Sequence, residues 1–258
     1  MIYVIIREAL QELYTRRLRR QLRTAPLPRH VAVIMDGNRR WARQAGLDNV
    51  SLGHQHGAEH VQDVMGWCED IGIRHMTVYV ASADNLHKRD DAETKFLLEL
   101  VERIVIRKAV ESDRWQVHVA GRLDLLPDST RNALKLAVED TLHREFHLTM
   151  AVGYDGRNEL VDAVRSLLDD RAGAGTSLEE LASTLTADDI SRHLDTAGQP
   201  DPDLVIRTSG EVRMSGFLLW QAAYAELYFC DVHWPGFRHL DFLRALRSYA
   251  ARQRRRNA

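Results

Sequence analysis

The sequence predicts a single α/β domain, with a central, mostly parallel sheet of about six strands flanked by helices. Three observations carry that expectation. Short apolar runs alternate along the chain with segments of helical period. Those runs are apolar throughout rather than alternating, as strands covered on both faces are. With 258 residues, 45% of them hydrophobic, the chain can bury a large core without disulfides or structural metals.

The elements follow in order. Residues 1–22, MIYVIIREALQELYTRRLRRQL, hold a five-residue apolar stretch and then charges, which is not a secretory signal. They read as a basic helical extension over 1–27, ahead of a main domain over 28–258. HVAVIM (30–35) reads as the first buried strand. Val61, Val64, Met65, Cys68 and Ile71 keep helical spacing up to Gly72, a stop signal. MTVYVA (76–81) is a second strand, and 96–110 an apolar-striped helix. VHVAG (117–121) is a third strand, followed by a helix over about 129–144. LTMAVGY (148–154) is a fourth, followed by a helix over about 158–168. RAGAGTS (171–177) is a loop between helices rather than a domain boundary. DLVIRT (203–208) and ELYF (226–229) complete the sheet, and a last helix starts near Leu240.

Composition excludes disorder and collagen, and no apolar run approaches the ~18–20 residues of a membrane span. Cys68, on an apolar stripe, reads as core, and with Cys230 it forms no metal spacing, so a reducing cytoplasm is the expected setting. The net charge of −2 hides a division. Residues 1–29 balance at +5, residues 244–256 at +6, and the body between them at −13. Solvated helix faces are one reading of the basic ends, and an anionic partner such as a membrane surface or nucleic acid is the other.

In open parallel sheets, ligands bind beyond the carboxyl ends of the strands. Asp36-Gly37-Asn38-Arg39-Arg40-Trp41 follows the first strand, and Ser82-Ala83-Asp84-Asn85 the second. Gly153-Tyr154-Asp155-Gly156-Arg157 follows the fourth, and Arg207, Glu211, Arg213 and Ser215 the fifth. An isolated Asp-Gly-Asn reads as a turn. Behind a buried strand and before Arg-Arg-Trp, it reads instead as an anion site with a carboxylate for Mg²⁺. Arg207 and Arg213 with Ser215 suggest a second anion site, since guanidinium forks grip phosphate bidentately. Two anion sites and a metal carboxylate match a reaction that joins two phosphorylated molecules. Neither a P-loop nor a G-x-G-x-x-G is present. His54-x-His56-x-x-x-His60 looks like a metal cluster, but residues 54 and 56 point to different helix faces.

HVAVIMDGNRRWA (30–42), YVASADN (79–85), VGYDGRNE (152–159) and DLVIRTSGEVRMSGFLLWQAAYAELYF (203–229) resemble the motif blocks of the cis-prenyltransferases, or Z-isoprenyl diphosphate synthases. The resemblance runs from about residue 28 to 247. All-trans synthases use DDxxD, of which Asp90-Asp91-Ala92-Glu93 is only a partial echo. The resemblance implies a homodimer, an apolar substrate tunnel, and Mg²⁺-dependent condensation of an allylic diphosphate with isopentenyl diphosphate, with no nucleic acid partner. It implies Asp36 as the essential carboxylate on Mg²⁺, with Gly37, Asn38, Arg39 and Arg40 as the phosphate loop and Trp41 beside it. Asn85 matches the residue to which proton acceptance is assigned, although a neutral amide is a poor base and suits positioning better. Arg207, Arg213 and Ser215, with Met214 between, match the isopentenyl diphosphate site, and Glu226 matches a second metal carboxylate. His54, Ser82, Ala83, Asp84, Leu86 and Lys88 are further expected substrate contacts.

Several positions depart from the long-chain pattern. Arg39 stands where Gly is common, Asp84 for Glu, Leu86 for Trp, Lys88 for Arg and Val80 for Ala. The LDNVSL stretch after Gly46 is one residue longer and lacks an Arg. These features are similar to the actinobacterial short-chain branch that makes Z,E-farnesyl diphosphate, with Val80 blocking elongation in a packed tunnel. The leading expectation is therefore a short-chain synthase extending geranyl diphosphate. A C50–C55 synthase, irregular coupling of dimethylallyl diphosphate units, and a non-catalytic partner subunit are the alternatives. Intact Asp36, Asn85 and clamp arginines argue against the last.

Overall fold

The structure, a computed structural model, describes residues 2–88 and 91–256. Its centre is a six-stranded sheet, β1 (His30–Ile34), β2 (His75–Ser82), β3 (Trp115–Ala120), β4 (Phe146–Tyr154), β5 (Leu204–Arg207) and β6 (Glu226–Phe229). The strands lie in the order β3-β4-β2-β1-β5-β6, and every pairing is parallel. The predicted strands are therefore all present, and the apolar runs of β1, β4 and β5 are explained by burial on both faces, whereas β6, at the sheet edge, is half-buried throughout. Val31 and Val33 of β1 enter the larger core, while Ala32 and Ile34 enter a smaller one on the opposite face.

Eleven α-helices are described: α1 (Ile2–Leu22), α2 (Asn38–Gln44), α3 (Ser51–Ile71), α4 (Ala83–Lys88), α5 (Asp91–Leu100), α6 (Arg107–Glu111), α7 (Asp128–Asp140), α8 (Gly156–Gly173), α9 (Leu178–Thr184), α10 (Ala187–Ser191) and α11 (His239–Arg256). The stripe expected over 96–110 is helical but not uniform, because residues Val101–Ile106 form a π-helical stretch between α5 and α6. The loop expected over 171–177 does join two helices, α8 and α9. Helix α3 ends at Gly72 in a left-handed conformation (φ 83°), with its N–H capping the last turn, so the predicted stop operates as a C-cap. Leu18 and Leu22 of α1 are fully buried in the larger core with Leu243, Leu246 and Tyr249 of α11. No helix among the described residues is long and apolar enough to cross a membrane.

The sheet is irregular near the carboxyl end of β2. In the β2–β4 ladder Tyr79 pairs with Ala151 and Ala81 with Val152, leaving Val80 as the extra residue of a bulge.

Candidate active site

The carboxyl ends of β1, β2 and β5, the helix start after β4, and helices α3 and α5 surround a cavity of about 420 Å³. Its mouth carries Asp36, Asn38, Asp84, Asn85, Asp155, Arg207, Arg213 and Ser215. Apolar side chains make up much of the remaining lining, among them Val61, Val78, Val80, Leu97, Leu100, Val101 and Val105. A recess of about 300 Å³ adjoins it, walled by Gly37, Arg39, Arg40 and Arg43 and sharing Asp36, Asn38 and His54.

The fold dictates this placement. Ile34 of β1 and Arg207 of β5 are register partners, so the chains leaving both strands emerge side by side. Thr208 locks them together, its hydroxyl donating to the Asp36 carbonyl at 2.7 Å. Arg207 is only 4% exposed. One of its nitrogens donates to the Asp36 carboxylate at 2.8 Å. Another donates to Ser215 Oγ at 2.8 Å and to the Arg213 carbonyl at 2.6 Å. Its Nε is buried with no partner. Such an orphaned charged donor beside a cavity is the kind of group an anionic ligand satisfies. Arg40 approaches Asp36 at 3.5 Å and Glu211 at 3.7 Å, and Glu211 also meets Arg213 at 3.5 Å. The cluster is thus two carboxylates among three arginines, Asp36 against Arg40 and Arg207, and Glu211 against Arg40 and Arg213.

Gly37 makes the turn from β1 into α2. Its φ of 101° is strained for any residue with a Cβ, and a Cβ there would lie 2.7 Å from His233 Nδ1. Asn38 donates to the Met35 carbonyl, and its Oδ1 is buried without a partner. Asn85 lies in α4, whose first turn is tied down by its own N–H donating to Ser82 Oγ at 3.0 Å.

The other predicted residues divide. His54 is buried and lines both hollows, facing Glu93 at 3.3 Å. Glu93 also holds Arg39 at 3.2 Å, so α5 is pinned to the phosphate loop. Ser82, Asp84 and Val80 line the cavity. Trp41 does not; it packs edge-on against His56 and beside Gly236. Met214 packs into the smaller core, Leu86 lies against Gly153, and Ala83 only opens α4. The side chain of Lys88 lies outside the described residues.

Glu226 requires a correction. It pairs in register with Leu204, at the amino end of β5 and β6, whereas Asp36 follows the carboxyl end of β1. Its carboxylate accepts from Arg252 of α11 at 2.8 Å. Within one chain the fold does not bring Glu226 to the ion that Asp36 would hold. The sequence placed Glu226 on a strand, but the informative end of a parallel strand is its last residue, and Glu226 is the first. No group of three or more His, Cys, Asp or Glu among the described residues could hold a metal ion. Asp36 is the carboxylate in the cavity that would hold a metal ion together with phosphate oxygens.

Three further residues belong to the site and were not predicted for it. Asp155 caps α8, accepting from the N–H groups of Arg157 and Asn158, and faces the cavity. Its place at a strand end was visible in the sequence. Glu93 and Trp234 reach the site from a helix and a turn distant in sequence; the partial DDxxD echo was the one local mark on Glu93, and nothing local signals Trp234. Trp234 is fully buried, donates from its indole N–H to the Gly57 carbonyl at 2.7 Å, and walls the cavity.

Residues 34–257 match a family model described as "Putative undecaprenyl diphosphate synthase". An isoprenyl transferase of Streptomyces fradiae is 61% identical over 95% of this chain and 96% of its own. A (2Z,6E)-farnesyl diphosphate synthase of Thermobifida fusca is 54% identical over 97% of this chain and 98% of its own. The crystal structure of lavandulyl diphosphate synthase from Lavandula x intermedia, in complex with dimethylallyl diphosphate, superposes with a TM-score of 0.80. It is 31% identical and covers 87% of this chain and 95% of that one.

Proposed function

The chain belongs to the cis-prenyltransferase family, and on that premise we propose that it condenses geranyl diphosphate with isopentenyl diphosphate to give Z,E-farnesyl diphosphate. The observation that carries this reading is a single cavity lined both by carboxylates and arginines and by a set of apolar side chains. That lining matches a substrate that is a diphosphate at one end and a hydrocarbon at the other. The name of the Thermobifida fusca relative supports the short product.

The roles follow from position. Asp36 and the recess formed by Gly37, Asn38, Arg39 and Arg40 take the allylic diphosphate. Arg207, Arg213 and Ser215 take isopentenyl diphosphate and aim its alkene at the allylic carbon. As the allylic C–O bond breaks, the arginines stabilise the departing diphosphate, and Val61, Val78 and Leu97 keep water from the cation. The alkene closes the new C–C bond, and a proton leaves the carbon next to the resulting cation. Asn85 positions the reacting chain, and a diphosphate oxygen is the proton acceptor. Mg²⁺ on Asp36, when bound, supplies Lewis-acid stabilisation of the leaving diphosphate. Val80, pushed out by the β2 bulge and joined by Leu100 and Val101, closes the interior against longer chains.

The reading includes a homodimer in the cytoplasm, supported by the resemblance and by an open sheet edge at β6, preceded by Tyr224 at 91% exposure. Irregular coupling is the second reading, favoured by the likeness to the lavandulyl diphosphate synthase structure. Incubating the purified protein with geranyl diphosphate, isopentenyl diphosphate and Mg²⁺ tests both. A C15 Z-product is expected, and Asp36→Ala should abolish it. A branched C10 product from dimethylallyl diphosphate alone would establish the second reading. No prenyl product from any primer would end both.

A further inference from the structure

We propose that α1 and α11 together form a docking face for an anionic lipid bilayer surface. The two basic ends of the chain, more than two hundred residues apart, are brought into one layer by this pair of helices. Leu18 and Leu22 bury one face of α1 against α11, and Arg247 donates to Tyr14 Oη at 2.6 Å across the seam. Arg244 and Arg247 also lie 5.7 and 6.0 Å from the Tyr14 ring centre.

That seam fixes which face of α1 looks outward. Leu10, Leu13, Arg17 and Arg20 are spaced three, four and three residues apart, so they form one stripe turned away from Leu18 and Leu22. Leu10 and Leu13 are 60% and 62% exposed, and Arg17 and Arg20 are exposed beside them. No ion pair among the described residues engages Arg17, Arg20, Arg23, Arg254, Arg255 or Arg256. Elsewhere on the molecule exposed arginines commonly have partners, as Arg107 with Glu111 and Arg165 with Asp162 do. A hollow of about 420 Å³ opens where the two helices meet, lined by Leu22, Ala25, Ala250 and Ala251 with Arg247 and Arg254. It offers an apolar floor and two guanidinium groups, the chemistry of a phosphodiester headgroup with its first acyl carbons.

Charge fixes orientation as well as attraction. The ends carry +5 and +6 against a body of −13, so an anionic plane draws the helix pair down and repels the remainder. Exposed leucines among the arginines favour a bilayer over nucleic acid, for which a leucine stripe has no use. The inference does not depend on the proposed reaction.

Co-sedimentation of the full chain with vesicles of phosphatidylcholine and phosphatidylglycerol (3:1) against phosphatidylcholine alone tests it, at 0.1 and 0.5 M NaCl. Binding at least tenfold tighter to the mixed vesicles, and weakened by salt, is expected. Arg17→Glu with Arg20→Glu should weaken it at least tenfold further, since each juxtamembrane arginine contributes about fivefold. Leu10→Ser with Leu13→Ser should weaken it severalfold while leaving turnover of soluble substrates unchanged. Arg254→Glu with Arg255→Glu gives the same reading from α11 should the α1 variants melt early. Equal binding to both vesicle types, no binding to either, or wild-type binding by both charge variants would overturn the proposal. So would a 20-base-pair DNA duplex binding tighter than the mixed vesicles.

Discussion

Arg207 binds Asp36, Ser215 and the Arg213 carbonyl at once, and does so because its guanidinium is a planar fork. A lysine has one point of charge and cannot hold three groups in that plane. Arg207→Lys should therefore lower kcat/KM for isopentenyl diphosphate at least a hundredfold with the fold intact, as steady-state kinetics and circular dichroism would show. Residues of this kind were legible because they stand immediately after apolar runs: Asp36, Asn85, Arg207, Arg213 and Ser215 all reach one cavity. Trp41 follows the same loop but turns the other way, toward His56, because helical periodicity carries it off the recess. Glu93 was visible only as the last acid of the Asp90-Asp91-Ala92-Glu93 echo, and its role here comes from α5 bringing it to Arg39 of α2 and His54 of α3.

At the scale of elements, two irregularities do most to shape the cavity. Gly37 lets β1 turn into α2 at φ 101° with His233 against the glycine's open side. Gly37→Ala adds left-handed strain and a clash, together about 1–3 kcal/mol. It should cut activity at least tenfold and lower the melting midpoint, both measurable on the purified variant. The second is the bulge at Val80, which with the π-helical stretch at Val101–Ile106 sets the cavity's inner wall. Val80→Ala combined with Leu100→Ala should admit at least one further C5 unit, read by mass spectrometry of the dephosphorylated product. An unchanged C15 product would place the length limit elsewhere. The sequence showed an apolar strand and an apolar-striped helix at these places. It could not show the bulge or the π-turn, because both are set by how neighbouring elements pack rather than by local composition. Glu226 is absent from the cavity within one chain for a related reason: residue type was readable, but which end of the strand it occupied decided its partner there, and that partner is Arg252.

For the whole molecule, the apolar runs predicted a parallel sheet but not its order, and the order has a consequence at the end remote from the cavity. β1, β2 and β4 are neighbours, and their register aligns His30, His75 and His147 in one row. His75 and His147 stack at 4.5 Å, and His118 of β3 meets His147 at 3.0 Å. Burial lowers all four, holding His30, His75 and His118 near 4, and for His75 and His118 the neighbouring imidazoles lower it further. Because these folded values lie below the ordinary 6.5, the stability they contribute is complete above about pH 6.5 and is lost as pH falls toward 4. His30, 2% exposed, accounts for roughly 2 kcal/mol of that loss by pH 5. The carboxyls of Glu159 and Asp195, which burial pushes up, act in the opposite sense. The urea midpoint should be flat above pH 7 and fall steeply between pH 6.5 and 5. His75→Asn, by removing one ring from the row, should flatten that fall; an equally steep fall in the variant would assign the acid sensitivity to other groups.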